Sequence, residues 1–131
     1  MQKKIRHYYK NKYIVLTIIY ALVIFIVSAI PGQSIPKFRI FSFDKLMHCC
    51  VYFGLGILLF MANDEQLKIS KKYIFLLTLL IGLGYGISDE IHQLFVINRS
   101  ASIYDVIADF VGVIIGAICI FKFSHKKEES D

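Results

Sequence analysis

The chain lacks tryptophan and is poor in proline and in charged residues, and these shortages narrow the class of protein. Only 19% of the 131 residues are charged, whereas 56% are hydrophobic. An ordinary soluble domain carries about a quarter of charged residues and a smaller apolar share. The composition therefore excludes an ordinary soluble fold and indicates that a lipid bilayer surrounds the protein.

The sequence also lacks a basic stripe and a cysteine framework. The net charge is +5, but the basic residues occupy short gaps between apolar runs, so we expect no nucleic-acid partner. Cys49 and Cys50 are adjacent, and we expect Cys119 at the opposite membrane depth. Free thiols are therefore predicted instead of a disulfide.

Long apolar runs dominate the chain and predict an all-α fold, a single domain over residues 1–131. The first run has no charge and covers about 27 Å as a helix, close to the thickness of a hydrocarbon core. The prediction is a bundle of four transmembrane helices, at about residues 13–30, 44–62, 73–97 and 103–123. The second run is short and contains His48, which leaves a re-entrant hairpin as an alternative.

The distribution of lysine and arginine predicts the orientation of the bundle. Four spans place both termini on one side, together with the segment between the second and third runs. Eleven basic residues lie on that side and four on the other, which favours cytoplasmic termini under the positive-inside rule. The seam between the third and fourth runs then faces away from the cytoplasm.

Polar side chains recur at helical spacing toward that seam. In the third run, residues 82, 86, 89 and 93 share one face, and in the fourth run residues 105, 109, 112 and 116 do the same. Each face has glycine deep in the membrane, which lets helices approach closely, and polar residues toward the outer end. The candidate site residues are Asp44, His48, Tyr52, Asp89, Glu90, His92, Gln93, Arg99, Asp105 and Asp109.

Structural roles also account for several of these residues. Asp105 is placed to stabilise a helix N-terminus, and Asp109 requires a partner, for which Arg99 and His48 are the candidates. Asp89 and Glu90 point about 100° apart on a helix, so we expect only one of them to face the shared stripe.

The motifs in this region resemble those of the VanZ-like family. The residues that carry the resemblance read DEIHQLF-x-x-NRS-x-S-x-x-D-x-x-x-D-x-x-G-x-x-x-G from Asp89, preceded by D-K-x-x-H-x-x-x-Y-F-x-L-G-x-L from Asp44 and by Ser28, Pro31, Gly32 and Ser34. The positions that match the family's polar residues are Asp44, His48, Glu90, Gln93, Arg99, Asp105 and Asp109. Where the family usually has Pro-Gly before the arginine, this chain has Ile97 and Asn98, and asparagine tolerates the left-handed backbone better than most residues.

The resemblance implies a multi-pass protein of the bacterial plasma membrane, in a family named for a member associated with teicoplanin resistance. We therefore expect an outward-facing pocket that binds the headgroup of a membrane lipid, a lipid-linked cell-wall precursor or a glycopeptide. Arg99 would hold a phosphate there, and no metal or other cofactor is expected.

Two alternatives remain. A membrane-embedded hydrolase or transferase acting on a lipid-linked phosphate or sugar would use His48, Glu90, His92, Asp105 and Asp109 as acid–base groups or as ligands of a divalent metal. A polar clasp between helices, or a proton or ion path, would use the same residues structurally. The carboxylates cluster at one end of the spans, which argues against a complete path.

Overall fold

A computed structural model describes residues 11–34 and 41–128 of the chain, and within these ranges the protein is entirely helical. Four long helices account for most of the described residues: α1 (Lys12–Ser28), α2 (Phe41–Gln66), α3 (Lys71–Gln93) and α4 (Ile103–Glu128), with a short 3₁₀ turn at Gly32–Ser34 after α1. The all-α, four-helix expectation is confirmed for this part of the chain.

Three of these helices are long and apolar enough to cross a membrane by length and composition: Phe43–Gln66, Lys71–Gln93 and Ile103–Ser124. α1 is also apolar but has only 17 residues, about 26 Å of helix. The first predicted span is therefore a shorter helix than the other three. Pro31 and Gly32, which follow it, cannot continue a helix at low cost.

The packing is inside-out relative to a soluble protein. Large apolar side chains lie on the outer surface, among them Leu80 at 69% and Tyr73 at 64% exposure. Polar side chains such as Thr78 and Asp109 are almost completely buried. This distribution suits a bundle whose outer surface contacts acyl chains and whose interior holds the polar groups.

α2 and α4 form the most extensive helix pair in the bundle. Their close approach depends on glycine at two positions of α4. A Cβ on Gly112 would overlap the carbonyl oxygen of Cys49, and one on Gly116 would overlap the carbonyl oxygen of Phe53. The glycine stripe of α4 therefore packs on the backbone of α2, while α3 packs against α4 beside it.

α1 lies against this core and is held by hydroxyl groups that donate to main-chain carbonyls. Tyr20 Oη donates to Val51 O at 2.9 Å on α2, and Tyr85 Oη on α3 donates to Ala21 O at 2.6 Å. Thr17 Oγ1 adds a bond of 3.1 Å to Leu58 O. Each bond ties α1 to a neighbouring helix without the close backbone contact seen between α2 and α4.

The chain between α3 and α4 is not helical, although the sequence extended the third run to Ile97. α3 ends at Gln93, and a series of turns follows, with Arg99 N donating to Val96 O at 3.2 Å. Asn98 has φ 57°, the left-handed backbone that asparagine tolerates. Gly32 N donates to Ile97 O at 3.1 Å, so this loop is joined to the 3₁₀ turn after α1.

Candidate functional site

A cavity of about 770 Å³ lies at the end of the bundle where α2 and α4 begin and α3 ends, which we call the polar end. Its polar lining comes from all four helices and from the loop before α4. The polar residues that line it are Ser28, Asp44, His48, Tyr52, Asp89, Gln93, Asn98, Arg99, Ser100 and Asp105. The remaining wall is apolar and includes Val23, Val27, Met47 and Val51.

One side of the cavity is neutralised by a lysine. Lys45 Nζ forms an ion pair with Asp105 and a second one, 3.1 Å long, with Asp44. Asp105 is buried, with 8% of its side chain exposed, whereas the Asp44 side chain is 61% exposed. The ammonium group therefore joins the start of α2 to the start of α4 and compensates two of the acids.

Arg99 brings a positive charge to the cavity, and few acceptors and no carboxylate among the described residues compensate it. Its guanidinium donates to the Ser28 carbonyl at 3.5 Å, a long hydrogen bond, and Nε is buried without a partner among the described residues. No carboxylate of the described residues lies within ion-pair distance of this group. A guanidinium with donors left over is well suited to a bidentate anion such as phosphate.

Asp89 is the counterpart on α3. Gln93 Nε2 donates to Asp89 Oδ2 at 3.4 Å, while Asp89 Oδ1 has no hydrogen-bond partner in the described part of the chain. The carboxylate is buried, at 5% exposure. The cavity thus presents an unsatisfied cation and an unsatisfied acid at the same end.

A second group of residues lies deeper, with one member on each of α2, α3 and α4. His48 Nδ1 is 2.9 Å from Asp109 Oδ1, and Glu90 completes a set whose ligand-type atoms all lie within 4.8 Å of one another. Glu90 Oε2 accepts a hydrogen bond of 2.8 Å from Ser102 N, just before α4. Glu90 Oε1 and Asp109 Oδ2 have no partner among the described residues. We call His48, Glu90 and Asp109 the inner triad.

A protein-family model described as VanZ/LLP1 matches residues 3–124 of the chain. The chain belongs to the VanZ/LLP1 family. The resemblance noted in the sequence is thereby confirmed, and with three long apolar helices this is a multi-pass membrane protein. Comparisons with curated proteins and with solved structures gave no match.

In this VanZ/LLP1 protein nine of the ten predicted site residues lie in the cavity or in the inner triad, and His92 lies apart. Its ring stacks on Phe25 of α1, with centroids 4.1 Å apart and planes 16° apart. His92 does not line the cavity, because its side chain points about 100° around α3 from that of Gln93. In this arrangement its ring packs α1 against α3.

Only Asp89 faces the shared stripe of α3, as the helical spacing predicted, but both Asp89 and Glu90 are buried. Asp89 is 5% exposed and Glu90 is 4% exposed. Asp89 points into the cavity, whereas Glu90 points to the start of α4, where Ser102 N holds it. The loop between α3 and α4 covers the second face of the helix, which helical periodicity alone does not reveal.

Sequence reasoning missed Lys45 and Ser102 as parts of the site. Lys45 belongs to the D-K-x-x-H motif and to the count of basic residues that predicts orientation, but it was not named as a site residue, although it follows Asp44 directly and lies one turn from His48. Ser102 contributes a backbone amide, and no side-chain pattern marks that role. Ser28 was noted in the motif after the first run, but its use as an acceptor for Arg99 depends on how α1 packs.

Proposed function

We propose that this VanZ/LLP1 protein binds the headgroup of a cell-envelope lipid or lipid-linked precursor in the cavity at the polar end. The amphipathic lining of that cavity carries the proposal. One part of the cavity is lined by Arg99 and Asp89, each of which has a buried polar atom without a hydrogen-bond partner among the described residues. Another part is an apolar wall formed by Val23, Val27 and Met47. A molecule with a phosphate, a hydroxyl or amine, and an acyl chain matches all three features.

The charges assign the parts of the ligand. A phosphate accepts from the guanidinium of Arg99, because charge-assisted hydrogen bonds are the stronger ones and arginine matches phosphate oxygens in pairs. An ammonium or sugar hydroxyl donates to Asp89 Oδ1, which has no donor of its own in the described protein. The acyl chain lies along α1 and α2, where Val23 and Met47 are about half exposed.

The proposal includes an orientation and a cellular role. With basic residues concentrated at the opposite end of the bundle, the polar end faces the outside of a bacterial plasma membrane. There the protein would meet lipids and precursors of the cell envelope. Binding such a headgroup is a route by which the protein contributes to teicoplanin-type glycopeptide resistance.

Lipid co-purification tests the binding. Wild-type protein and the Arg99→Gln variant are extracted in mild detergent, and bound lipids are identified by native mass spectrometry. Loss of one charged hydrogen-bonding partner costs about 1.5–3 kcal/mol, so we expect the variant to lose about tenfold or more of its bound phospholipid. Lys68→Gln, which removes an exposed positive charge between α2 and α3, is the matched control and retains the lipid.

The same variants test the cellular role. In a susceptible host, wild-type protein and Lys68→Gln raise the tolerated teicoplanin concentration, and Arg99→Gln does not. If Arg99→Gln folds, expresses normally and keeps the same lipid complement as Lys68→Gln, the binding proposal is wrong.

The inner triad favours one second function, a hydrolase or transferase acting on a lipid-linked phosphate or sugar. A histidine in contact with a buried carboxylate is the arrangement of a general base and the group that orients it. Incubating the purified protein with lipid-linked phosphates and measuring released headgroup separates the two functions. Release that is lost in His48→Gln supports catalysis, whereas stable binding without release supports the first proposal alone.

A further inference from the structure

We propose that the inner triad binds one divalent transition-metal ion, with Zn²⁺ and Mn²⁺ as the best-suited cations. His48 on α2, Glu90 on α3 and Asp109 on α4 each offer one ligand-type atom, and these three atoms lie within 4.8 Å of one another. The sequence raises a divalent metal only as an alternative and over a wider set of residues, whereas the packing of three helices brings these three together. The inference goes beyond headgroup binding and stands or falls separately from it.

The spacing of the triad fits a coordination sphere. His48 Nδ1 and Asp109 Oδ1 are 2.9 Å apart. Two ligands that each lie about 2.1 Å from a metal at right angles are separated by about 3 Å, so this pair needs no backbone movement to share an ion. The ligand-type atom of Glu90 lies within 4.8 Å of the other two. A change of its side-chain rotamer can shorten this distance to the spacing between two ligands of one metal ion.

Two buried oxygens with no partner give the independent evidence for a ligand. Glu90 is 4% exposed and Asp109 1% exposed, yet Glu90 Oε1 and Asp109 Oδ2 accept no hydrogen bond from the described residues. Buried carboxylate oxygens are normally paired or coordinate a metal. Ser102 N already occupies the other oxygen of Glu90, which leaves Oε1 available to a cation.

The charge balance at the triad also calls for a cation. Two carboxylates accompany a single imidazole, and Asp89 and Asp105 place further negative charge near Asp109. Lys45 forms ion pairs with Asp44 and Asp105, so its charge compensates these two acids and not the carboxylates of the inner triad. A divalent ion would compensate the inner carboxylates in the low-dielectric interior of the bundle.

A second set of possible ligands, Asp44, His48 and Asp105, is a poorer candidate. The Lys45 ammonium already lies between its two carboxylates, and the Asp44 side chain is 61% exposed. His48 belongs to both sets, and its contact at 2.9 Å is with Asp109. The geometry therefore places the ion in the inner set.

The donor atoms identify the class of metal. One imidazole nitrogen with two carboxylate oxygens suits Zn²⁺ or Mn²⁺ better than Ca²⁺ or Mg²⁺, which prefer all-oxygen sites. Three protein ligands also leave coordination positions for water or for an oxygen of a bound molecule, as in open zinc sites.

Metal titration of the full chain tests the site. Protein purified in detergent is stripped with a chelator, exchanged into metal-free buffer and incubated with Zn²⁺, Mn²⁺ or Co²⁺, and bound metal is measured by elemental mass spectrometry after desalting. We expect about one ion per chain, as a three-ligand site requires, and a visible absorption band for Co²⁺. Glu90→Gln and Asp109→Asn should each weaken binding about tenfold or more.

Matched variants separate this site from adventitious binding. Glu90→Gln keeps a carbonyl oxygen that can accept from Ser102 N, so the loop contact survives while the charge is lost. Asp64→Asn removes a carboxylate at the opposite end of the bundle, where Asp64 pairs with Lys71, and should bind metal like the wild type. Size-exclusion profiles verify that each variant is folded.

Two outcomes overturn the proposal. One is a wild-type protein that binds no more metal than the Glu90→Gln/Asp109→Asn double variant. The other is equal affinity in the wild type and in folded Glu90→Gln, which places the ion elsewhere. If both single variants aggregate, the wild type decides alone: absence of a bound ion and of the Co²⁺ band refutes the site. Arg99-dependent lipid binding would still support the headgroup proposal in each case.

Discussion

Replacing Gly112 by alanine should weaken the bundle, because the added methyl group meets main-chain atoms of α2. A Cβ at this position overlaps the carbonyl oxygen of Cys49 and stands 2.9 Å from Phe53 N, where ordinary van der Waals contact begins at 3.4 Å. Main-chain atoms of a helix cannot rotate away as a side chain can. α4 must therefore move off α2 by about half an ångström or more, at the most extensive helix contact of the protein.

The magnitude follows from comparison with Gly84. No atom lies within 4 Å of a Cβ built on Gly84, so Gly84→Ala carries only the gain in helix propensity, up to about 1 kcal/mol. Gly112→Ala has the same gain but adds overpacking, which typically costs about 1–3 kcal/mol. We expect Gly84→Ala to match or exceed the wild type in stability and Gly112→Ala to fall below Gly84→Ala by about 1–3 kcal/mol.

Reversible unfolding in mixed micelles measures this difference. The fraction of SDS is raised at constant total detergent, and helicity is followed by far-UV circular dichroism for the three proteins in parallel. If Gly112→Ala unfolds within about 0.5 kcal/mol of Gly84→Ala, the size expected for substitutions that disturb no packing, then α2 and α4 are not in close backbone contact and the inner triad loses its geometric basis.

Two further predictions concern the charged groups and the orientation. Lys45→Ala should lower the free energy of unfolding by about 1–3 kcal/mol, because it leaves the buried Asp105 without its cation. Lys71→Ala should lower it by less than about 1 kcal/mol, because its partner Asp64 is 29% exposed. Equal losses of stability in the micelle assay would refute this ranking. In a cysteine-free background, a membrane-impermeant maleimide added to intact cells should label Ser100→Cys, at the exposed polar end, and should spare Ser70→Cys, exposed at the other end. The reverse labelling pattern would show that the cavity opens to the cytoplasm.

Helical periodicity predicted the enclosed faces of α3 and α4 well. Gly82, Gly86, Asp89 and Gln93 are all buried, and so are Asp105, Asp109, Gly112 and Gly116. Each face could be identified because small residues at three- and four-residue intervals allow close helix packing, and polar residues on the same face avoid contact with lipid. The sequence left two candidate partners for Asp109, Arg99 and His48, and in the structure His48 is the one in contact with it.

The rest of the site depends on tertiary contacts that leave no periodic signal. Glu90 is buried because the loop containing Ser102 folds over it, and no spacing within α3 encodes that loop. His92 was grouped with the polar site, but its place against Phe25 depends on where α1 packs. Asn98 is an intermediate case: its identity allowed a left-handed backbone, and the observed φ of 57° fits that property.

The apolar wall of the cavity has a consequence for how the site is filled. Val27 and Met47, which line the cavity, are each about half exposed in the described part of the chain, and we expect the cavity to open sideways between α1 and α2. An occupant can arrive by lateral diffusion within the leaflet without being extracted into water. Its occupancy is then governed by mole fraction in the membrane, and a water-soluble headgroup fragment without an acyl chain should compete weakly even at high concentration.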